Sequence, residues 1–415
     1  MNDVPRARFG YRLILVLMGG GAILLFSLGI RQTFGLFLPP MVETLGWSTA
    51  TLATTIALQN LLWGLAQPFA SMVADRFGVG RVLVGGGLAY AAGILLTAFP
   101  TAPLQAHLGL GVLVGIGISA TSFPIVLGAV ARATPAHLRS RALGIASAGG
   151  SAGQFLMVPV AYGALEWLSW VGALVFLALL AGLMVPLAAS LVGADDNDPA
   201  TGDSELRMSE ALAEAFGNRS YWLLTLGFFV CGFHVALVLA HFPAFLSAHE
   251  FPAQWAAITL GIIGFCNIPG TYLAGWLGDK ISKRNILVAV YLLRAAAFMG
   301  LLLLPVNYLT TGAFAVAMGV MWLGTVPLTS GIVSQIFGPR YLSTLFGVTF
   351  MSHQIGAFFG AWSAGVVLER FGGYEWAWAL SAVLAIISAV LHMPIREGPI
   401  RRIRPNSPSA IPPVR

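Results

Sequence analysis

The chain is dominated by long apolar runs that are separated by short polar segments. Each run approaches or exceeds the ~20 residues that a helix needs to cross a bilayer. The runs are continuous rather than alternating, which predicts α-helices, because a helix satisfies its own backbone hydrogen bonds in lipid. They begin near Arg12, Ser48, Arg81, Leu104, Arg141, Trp170, Ser220, Ala253, Asn285, Tyr308, Tyr341 and Glu375. The sequence therefore predicts an all-α integral membrane protein with twelve transmembrane helices.

One longer polar stretch, residues 194–219, separates two sets of six runs. It divides the chain into a first bundle at residues 1–193 and a second at 220–395, and a basic cytoplasmic tail follows at 396–415. The acidic start of the stretch is typical of a flexible linker. Its end has apolar residues at helical spacing behind Ser209, a predicted N-cap. A short amphipathic helix on the inner membrane surface is therefore expected.

The two sets of spans are related by an internal repeat, which becomes visible when the chain is shifted by 203 positions. The matching pairs are Phe26 with Phe229, Gly29 with Gly232, Pro40 with Pro243, Pro124 with Pro327, Gly128 with Gly331, Ser140 with Ser343, Gly144 with Gly347 and Gly153 with Gly356. Parallel six-span repeats place a binding site between the halves, near mid-bilayer. The predicted architecture is thus two pseudo-symmetric six-helix bundles.

Composition and charge agree with this topology. With 57% hydrophobic and 9% charged residues, the chain cannot build a water-soluble surface. All but three of the 22 Lys and Arg residues lie on one set of span ends, which predicts that these ends and both termini are cytoplasmic. We therefore expect a multi-pass protein of the plasma membrane, the inner membrane in a bacterium. Basic ends at the anionic inner leaflet also account for the net charge of +6 without a nucleic-acid partner.

Arg31 lies inside the first span, in LFSLGIRQTFGLFLPPM, and no Asp or Glu occurs in the core of any span. An unpaired cation in hydrocarbon costs at least about 2.5 kcal/mol and is tolerated mainly where it lines a wet cavity or meets an anion. The 203-residue shift places His234 of span seven at the equivalent position. We therefore predict that Arg31 and His234 face each other across a cavity and bind a substrate carboxylate. Snorkelling of Arg31 and simple packing of His234 are the alternatives.

Other polar or aromatic residues inside the spans are further candidates for substrate contacts. They are Gln59 and Asn60 in span two, Ser119, Thr121 and Ser122 in span four, Trp322 in span ten, and His353 and Gln354 in span eleven. Interhelical hydrogen bonding or core packing is the competing role for this set. Arg294 in span nine is expected to hydrogen-bond backbone carbonyls instead.

The loops after spans two and eight read SMVADRFGVGR and GWLGDKISKR. Both resemble the G-x-L-x-D-R/K-x-G-R-R signature of the major facilitator superfamily, although Ser71 replaces the opening Gly in the first copy. The resemblance implies a twelve-helix fold that works by alternating access. It also implies a gating role for Asp75, Arg76, Arg81, Gly275, Asp279, Lys280 and Arg284. An Asp at the end of span two can face the positive N-terminus of span eleven, near Tyr341, and hold an inner gate shut.

Within the superfamily, IRQTFGLFLPPM resembles the first helix of the monocarboxylate transporter and oxalate/formate antiporter group. The resemblance implies that Arg31 binds the substrate carboxylate. These families also use an Arg in helix eight, where the nearest positions here are Asn267 and Ile268. Dicarboxylate antiporters add a Lys in helix eleven, where this chain has His353 and Gln354. One strong cation fits a monoanion better than a dianion.

The expected function is secondary active transport of small organic anions, most simply monocarboxylates. His234 and His353 are the internal titratable groups that could couple transport to protons. The alternatives are anion exchange of the oxalate/formate kind, multidrug export and, from a different class, a receptor that binds without transport.

An enzyme is not expected, because the spans contain no metal-spaced His or Cys set, nucleophile elbow or carboxylate pair. No metal or cofactor is expected. The expected partners are the carboxylate, the lipid bilayer and protons, and the monomer is expected to be the functional unit.

Overall fold

The computed structural model describes residues 10–193, 206–371 and 373–400. Throughout these ranges the regular secondary structure is helical, and they contain no β-strand. Residues 194–205 of the predicted linker and 401–415 of the predicted basic tail lie outside the described residues. The prediction of an all-α protein is confirmed.

Twelve helical units occur in the order of the twelve predicted spans. They are α1 (Tyr11–Leu45), α2 (Thr49–Phe77), α3 (Val79–Ala98), α4 (Pro103–Ala133), α5 (139–168), α6 (170–191), α7 (Arg219–Ala248), α8 (Ala253–Gly278), α9 (Lys283–Leu303), α10 (Tyr308–Phe337), α11 (Leu342–Phe371) and α12 (Glu375–His392). The junction between α5 and α6 is a kink at Ser169, where φ is 61°. The structure thus confirms the twelve-helix prediction.

Nine stretches of the described chain are long and apolar enough to cross a membrane by length and composition alone. Two facts account for the difference from twelve. The helices α5 and α6 run together in one stretch, and neither α2 nor α11 is among the nine. These two helices pack against each other, so part of their surface faces protein rather than lipid and can carry polar side chains such as Gln67.

Two helices are interrupted within the bundle. The helix α4 breaks at Ser122, whose backbone is extended, and Pro124 follows at the start of the next segment. The helix α10 breaks between Met321 and Thr325, and Pro327 follows. Proline has no backbone N–H to donate and fits best in the first turn of a helical segment, where that N–H would have no partner within the helix. Since Pro124 and Pro327 are a matched pair in the repeat, both halves break at equivalent places.

The two bundles meet mainly through α2 against α11 and α5 against α8. Glycine permits the closest approach, because a Cβ on Gly144 would lie 2.8 Å from the Cα of Gly275. At the symmetry-related place, a Cβ on Gly347 would lie 2.6 Å from the hydroxyl oxygen of Ser71. Ser71 is the residue that departs from the loop signature. It fits here because its partner across the interface is a glycine.

These close contacts lie near one end of the bundle, which we call the basic face. At this end of the bundle, helices end at or next to four basic residues, Arg76, Arg132, Lys280 and Arg340. A short linker helix, Met208–Phe216, belongs to this end as well. The Tyr341 hydroxyl at the start of α11 donates to the Leu206 carbonyl, 2.9 Å away, just before the linker helix.

The predicted N-cap of the linker helix was wrong. The helix begins at Met208, and Arg207 rather than Ser209 is the N-cap residue. The Glu210 carboxylate accepts a hydrogen bond from the Arg207 backbone N–H at 2.7 Å, which satisfies a donor that the helix itself leaves free. A Glu three residues after the cap was the sequence signal for this start.

Replacing Gly275 with Val is expected to hold the halves apart at the basic face. A Cβ at this position would lie 2.6 Å from the Gly144 Cα, so the backbones must separate. Spin labels at Arg76 and Lys280, both exposed and in opposite halves, should report a mean distance longer by about 3 Å or more.

The matched control for this variant is Gly261→Val in the same helix, where an added Cβ meets no atom within 4 Å. The control should keep the parent distance distribution. An unchanged distribution in Gly275→Val would show that glycine at this contact is not required for closure.

Candidate functional site

Arg31 is held by α2 rather than by a carboxylate. It lies in α1, in the last α-helical turn before a short 3₁₀ segment at Phe34–Phe37, and its side chain is half-buried. One guanidinium nitrogen, Nη1, donates to the Asn60 side-chain oxygen at 3.1 Å, and the guanidinium carbon lies 4.9 Å from the Trp63 ring centroid. The Nε atom is buried without a hydrogen-bond partner. Within the described ranges, no Asp or Glu forms an ion pair with Arg31, so its charge is available to an anion.

Hydrogen bonds fix Trp63 under the Arg31 guanidinium. The indole N–H donates to the Gln67 side-chain oxygen at 3.2 Å and to the Ser122 hydroxyl at 3.3 Å. Ser122 in turn donates to Gln67 at 2.6 Å, and the Gln67 amide donates to the Ser119 carbonyl at 2.9 Å. The break in α4 thus supplies the hydroxyl that orients Trp63. Sequence reasoning overlooked Trp63 and Gln67, although they continue a stripe of every fourth residue that starts at Gln59.

The helix α1 is anchored to α3 and α4 one turn before Arg31. The Tyr90 hydroxyl of α3 donates to the Ser27 carbonyl at 2.8 Å, and the Ser27 hydroxyl lies 2.7 Å from that of Thr121 in α4. All three residues are fully buried. Because Ser27 is one helical turn before Arg31, these bonds fix the rotation of α1 that directs Arg31 toward α2.

Gln59 and Asn60 are neighbours in α2, and their side-chain amides differ in their hydrogen bonds. Asn60 accepts from Arg31 and donates to the Ile56 carbonyl at 2.9 Å. Gln59 is 1% exposed, and neither of its side-chain amide atoms has a hydrogen-bond partner. Leaving a buried amide unsatisfied costs about 1–3 kcal/mol per group. Gln59 therefore carries a free donor and a free acceptor one residue before the Asn60 that holds Arg31.

The structure does not place His234 opposite Arg31. Its Nε2 lies 3.0 Å from the Ser381 carbonyl of α12, and its ring packs on Phe298 of α9 with centroids 4.8 Å apart. These contacts are all within the second bundle. The physical reason lies in the register, because one residue along a helix turns the side chain by about 100°. The signature loops already show a one-residue slip in the repeat, from Asp75 to Asp279.

Arg294 and Asn267 support the break in α10. Arg294 is fully buried and donates through Nη2 to the carbonyls of Met321 and Trp322, the latter at 2.6 Å. The expectation that Arg294 hydrogen-bonds backbone carbonyls is confirmed. The Asn267 side-chain oxygen accepts from the Leu323 backbone N–H at 3.1 Å. Asn267 and Trp322 therefore make contacts within the second bundle, and a role for them in substrate binding stays a prediction.

Gln354 lies at the interface between the halves, and His353 precedes it in α11. The His353 ring stacks on Phe350 with centroids 5.2 Å apart, and its Nδ1 lies 3.1 Å from the Gln354 side-chain oxygen. Gln354 packs against α2, since a Cβ added to Gly64 would lie 2.9 Å from the Cβ of Gln354. Phe350 in turn contacts Trp63 across the interface, with ring centroids 5.5 Å apart. The structure thus connects Arg31 to His353 through Trp63 and Phe350.

At the basic face, Asp75 joins the end of α2 to the start of α11. One carboxylate oxygen accepts from the Thr344 backbone N–H at 2.7 Å, and the other pairs with Arg132 at 3.0 Å. The side chains of Asp75 and Arg132 are 0% and 6% exposed. Arg132 also donates to the Arg340 carbonyl of the other half at 3.3 Å. The contact with the N-terminus of α11 that the sequence suggests is therefore present.

Asp279 makes the symmetry-related contact from the second half. Its two carboxylate oxygens accept from the backbone N–H groups of Ser140 and Arg141, at 2.9 and 3.0 Å, at the start of α5. The Arg141 side chain is 30% exposed and 3.9 Å from Asp279, so this ion pair is weaker than that of Asp75. Each half thus places one carboxylate at the N-terminus of a helix from the other half.

Within the described ranges, the remaining basic residues of the signature loops make no contact across this interface. Arg76 and Lys280 lie over the neighbouring rings of Phe77 and Trp276, and Arg81 donates to the Phe77 carbonyl. Arg284 instead binds the segment after α12, donating to the carbonyls of Met393 and Ile395. Among the charged signature residues, the two Asp side chains therefore carry the contact between the halves.

The structure consists of two pseudo-symmetric six-helix bundles, and one loop carboxylate from each bundle closes the contact between them. Comparison of the whole chain with known protein families agrees with this architecture. The sequence pattern of the Major Facilitator Superfamily matches residues 17–361. The chain belongs to this superfamily. It is therefore a multi-pass membrane transporter, as the sequence suggested, and not an enzyme.

Individual members of the superfamily are similar over nearly the whole chain. Identity to the uncharacterized MFS-type transporter YcxA of Bacillus subtilis is 23%, covering 89% of this chain and 92% of that protein. Identity to monocarboxylate transporter 13 of Bos taurus is 25%, covering 90% and 86%. Among solved structures, FucP in the outward conformation superposes with a TM-score of 0.70 at 15% identity, covering 92% of this chain and 98% of FucP. The structural likeness establishes the superfamily fold.

Proposed function

We propose that this protein is a secondary active transporter of small monocarboxylates and that Arg31 is its anion-binding residue. The observation that carries the proposal is the half-buried Arg31 guanidinium, which is held by Asn60 and Trp63 but has no carboxylate partner among the described residues. A planar guanidinium binds a carboxylate through two parallel N–H donors. The similarity to monocarboxylate transporter 13 supports the same substrate class.

The proposed transport cycle is alternating access, with the basic face at the cytoplasm as the charge distribution predicts. In this orientation both termini are cytoplasmic, and the contacts of Asp75 and Asp279 form a closed inner gate. In the described chain, contacts between the halves begin at this gate. They continue as far as the contact of Gly64 with Gln354 and that of Phe155 with Phe265. Substrate would therefore reach Arg31 from the outer face. Release to the cytoplasm requires that both carboxylates leave the helix N-termini of the opposite half.

A single strong cation favours monocarboxylates over dicarboxylates. Gln59, with both amide atoms unpaired, is the proposed second polar contact for the substrate. His353 is the proposed proton carrier, because it connects through Phe350 and Trp63 to Arg31, whereas His234 contacts α9 and α12. Exchange of one carboxylate for another is the second candidate, since returning the site empty would leave the Arg31 charge unneutralised while the site is closed to water on both sides.

Transport by the purified protein in proteoliposomes tests the substrate class and the coupling together. Radiolabelled lactate, pyruvate and benzoate should show saturable uptake, whereas neutral lactamide should not compete. Proton symport predicts that an inwardly directed proton gradient raises uptake at least about threefold, and exchange predicts uptake that depends only on internal carboxylate. Absence of carrier-dependent flux for every carboxylate in the panel would contradict the proposed function.

Replacing His234 with Phe is expected to reduce stability without changing substrate affinity. The variant loses the hydrogen bond to the Ser381 carbonyl, which should lower the free energy of unfolding by about 1–3 kcal/mol. The KM for carboxylate uptake should stay within about twofold of the parent value, because His234 contacts α9 and α12 within the second bundle. Thermal melting in detergent and uptake kinetics measure the two effects. A tenfold rise in KM with unchanged melting would restore His234 as a ligand.

A further inference from the structure

The contact between the bundles nearest to Arg31 is aromatic. Trp63 lies at the midpoint of α2, about 21 Å from either end at 1.5 Å per residue. It is 5% exposed and contacts Phe350 of α11, which is 2% exposed, at a centroid distance of 5.5 Å. The next residue of α2, Gly64, packs against Gln354 of α11. The two helices therefore meet at mid-bilayer through this pair of rings.

Further rings surround this contact. Phe350 packs on Phe123 at the start of the second segment of α4 and on Phe346 one turn earlier in α11, with centroids 6.2 and 6.1 Å apart. It also stacks on His353 at an interplanar angle of 14°. These rings and Trp63 form an aromatic cluster next to Arg31, which we call the floor. On the side of Trp63 away from the Arg31 guanidinium, one half thus contacts the other through Phe350.

Arg31 contacts this floor through Trp63. Its guanidinium carbon lies 4.9 Å from the Trp63 centroid, within the range of a cation–π interaction. This attraction depends on the positive charge and on the guanidinium lying near the ring. A carboxylate that binds the guanidinium neutralises the charge and competes for its orientation. Anion binding should therefore weaken the contact between Arg31 and Trp63.

We propose that Trp63 is a positioning residue that locks the two bundles together while Arg31 is empty, and that a carboxylate bound at Arg31 releases the lock. The second part rests on the proposed function, whereas the first part does not. The lock explains why Trp63 is so firmly oriented, with its indole N–H shared between Gln67 and Ser122. A ring that was free to tilt could not transmit a change at Arg31 to Phe350.

A cysteine reporter in the closed interface tests the lock. Thr271 of α8 is fully buried, and its hydroxyl lies 3.2 Å from that of Ser151 in the other half. In a full-length protein with Cys231 and Cys266 replaced by Ala, Thr271→Cys should react slowly with an impermeant maleimide added at the basic face of oriented vesicles. Opening of that face exposes the thiol and raises the labelling rate.

Without substrate, Trp63→Leu, Phe350→Leu and Arg31→Gln should each raise the labelling rate at least about fivefold. Trp63→Phe, which keeps a ring, should raise it less than twofold. Trp378→Leu is the control for general loosening, because Trp378 is buried in the second bundle against Phe298, away from the floor, and it should also change the rate less than twofold. Lactate should raise the rate of the parent reporter at least about threefold and leave that of Trp63→Leu unchanged.

The outcomes separate the two proposals. A Trp63→Leu reporter that labels as slowly as the parent would overturn the lock, and so would a Trp378→Leu reporter that labels as fast as Trp63→Leu. Fast labelling of Trp63→Leu with no response of the parent to lactate, pyruvate or benzoate would support the lock and count against the proposed function.

Discussion

Replacing Arg31 with Gln is expected to lower Vmax/KM for carboxylate uptake at least about 100-fold, equivalent to about 2.8 kcal/mol of lost binding. The reason is that the described part of the chain offers no other strong cation beside Asn60 and Trp63 to receive the substrate charge. Gln keeps a hydrogen-bond donor of similar reach but loses the charge and the second parallel N–H. Initial rates of radiolabelled pyruvate uptake into proteoliposomes, corrected for reconstituted protein, measure the effect.

Two further variants show whether the charge or the geometry matters. Arg31→Lys keeps the charge and loses the planar fork, so its Vmax/KM should fall between the parent and Arg31→Gln. Asn60→Ala removes only the partner that orients Nη1, and a three- to tenfold rise in KM is expected, about 1 kcal/mol for one lost hydrogen bond. Uptake by Arg31→Gln within threefold of the parent would show that the carboxylate binds elsewhere.

Replacing Asp75 with Asn is expected to open the basic face and to slow transport at least about tenfold. The substitution removes the buried carboxylate opposite Arg132, and breaking such a pair typically costs about 3–5 kcal/mol. The loss falls on the closed state, in which α2, α4 and α11 meet. Labels at Arg76 and Lys280 should therefore report a longer mean distance, and the same samples give the uptake rate.

Asp279→Asn is the matched comparison from the second half. Its oxygens accept two backbone N–H groups, and the side chain of Arg141 is partly exposed and farther away. A neutral Asn can still accept one of these hydrogen bonds, so the shift in distance should be smaller than for Asp75→Asn. A larger increase in distance for Asp279→Asn than for Asp75→Asn would contradict the view that Asp75 makes the stronger of the two contacts that close the basic face.

Features that follow one helix or one repeat could be predicted from the sequence. The twelve spans follow from the length and continuity of apolar runs, because the hydrocarbon thickness fixes how long a spanning helix must be. The contact between Asp75 and the start of α11 follows from the loop signature and the helix dipole, and the structure places the N–H donor at Thr344, close to the expected Tyr341. Ser71 shows the limit of this reasoning, because its fit depends on Gly347 across the interface.

The candidate site was predicted less completely, since side-chain direction depends on helix rotation. The 203-residue shift matched Arg31 with His234, but a one-residue slip is enough to turn a side chain toward a different neighbour. His234 contacts α9 and α12, and the residues that surround Arg31 come from α2. Trp63 was detectable as a member of the stripe from Gln59 to Ser71. Its contact with Phe350 required the packing of α2 against α11, which no local pattern specifies.

Counterflow tests the central claim, carboxylate transport through Arg31, most directly. Proteoliposomes loaded with unlabelled lactate and diluted into a trace of labelled lactate should accumulate the label transiently above equilibrium. Loading with lactamide, which has the same size but no charge, should give no overshoot, and neither should lactate-loaded vesicles that contain Arg31→Gln. An overshoot of equal height in Arg31→Gln, or one driven equally well by lactamide, would contradict the assignment of Arg31 as the carboxylate site.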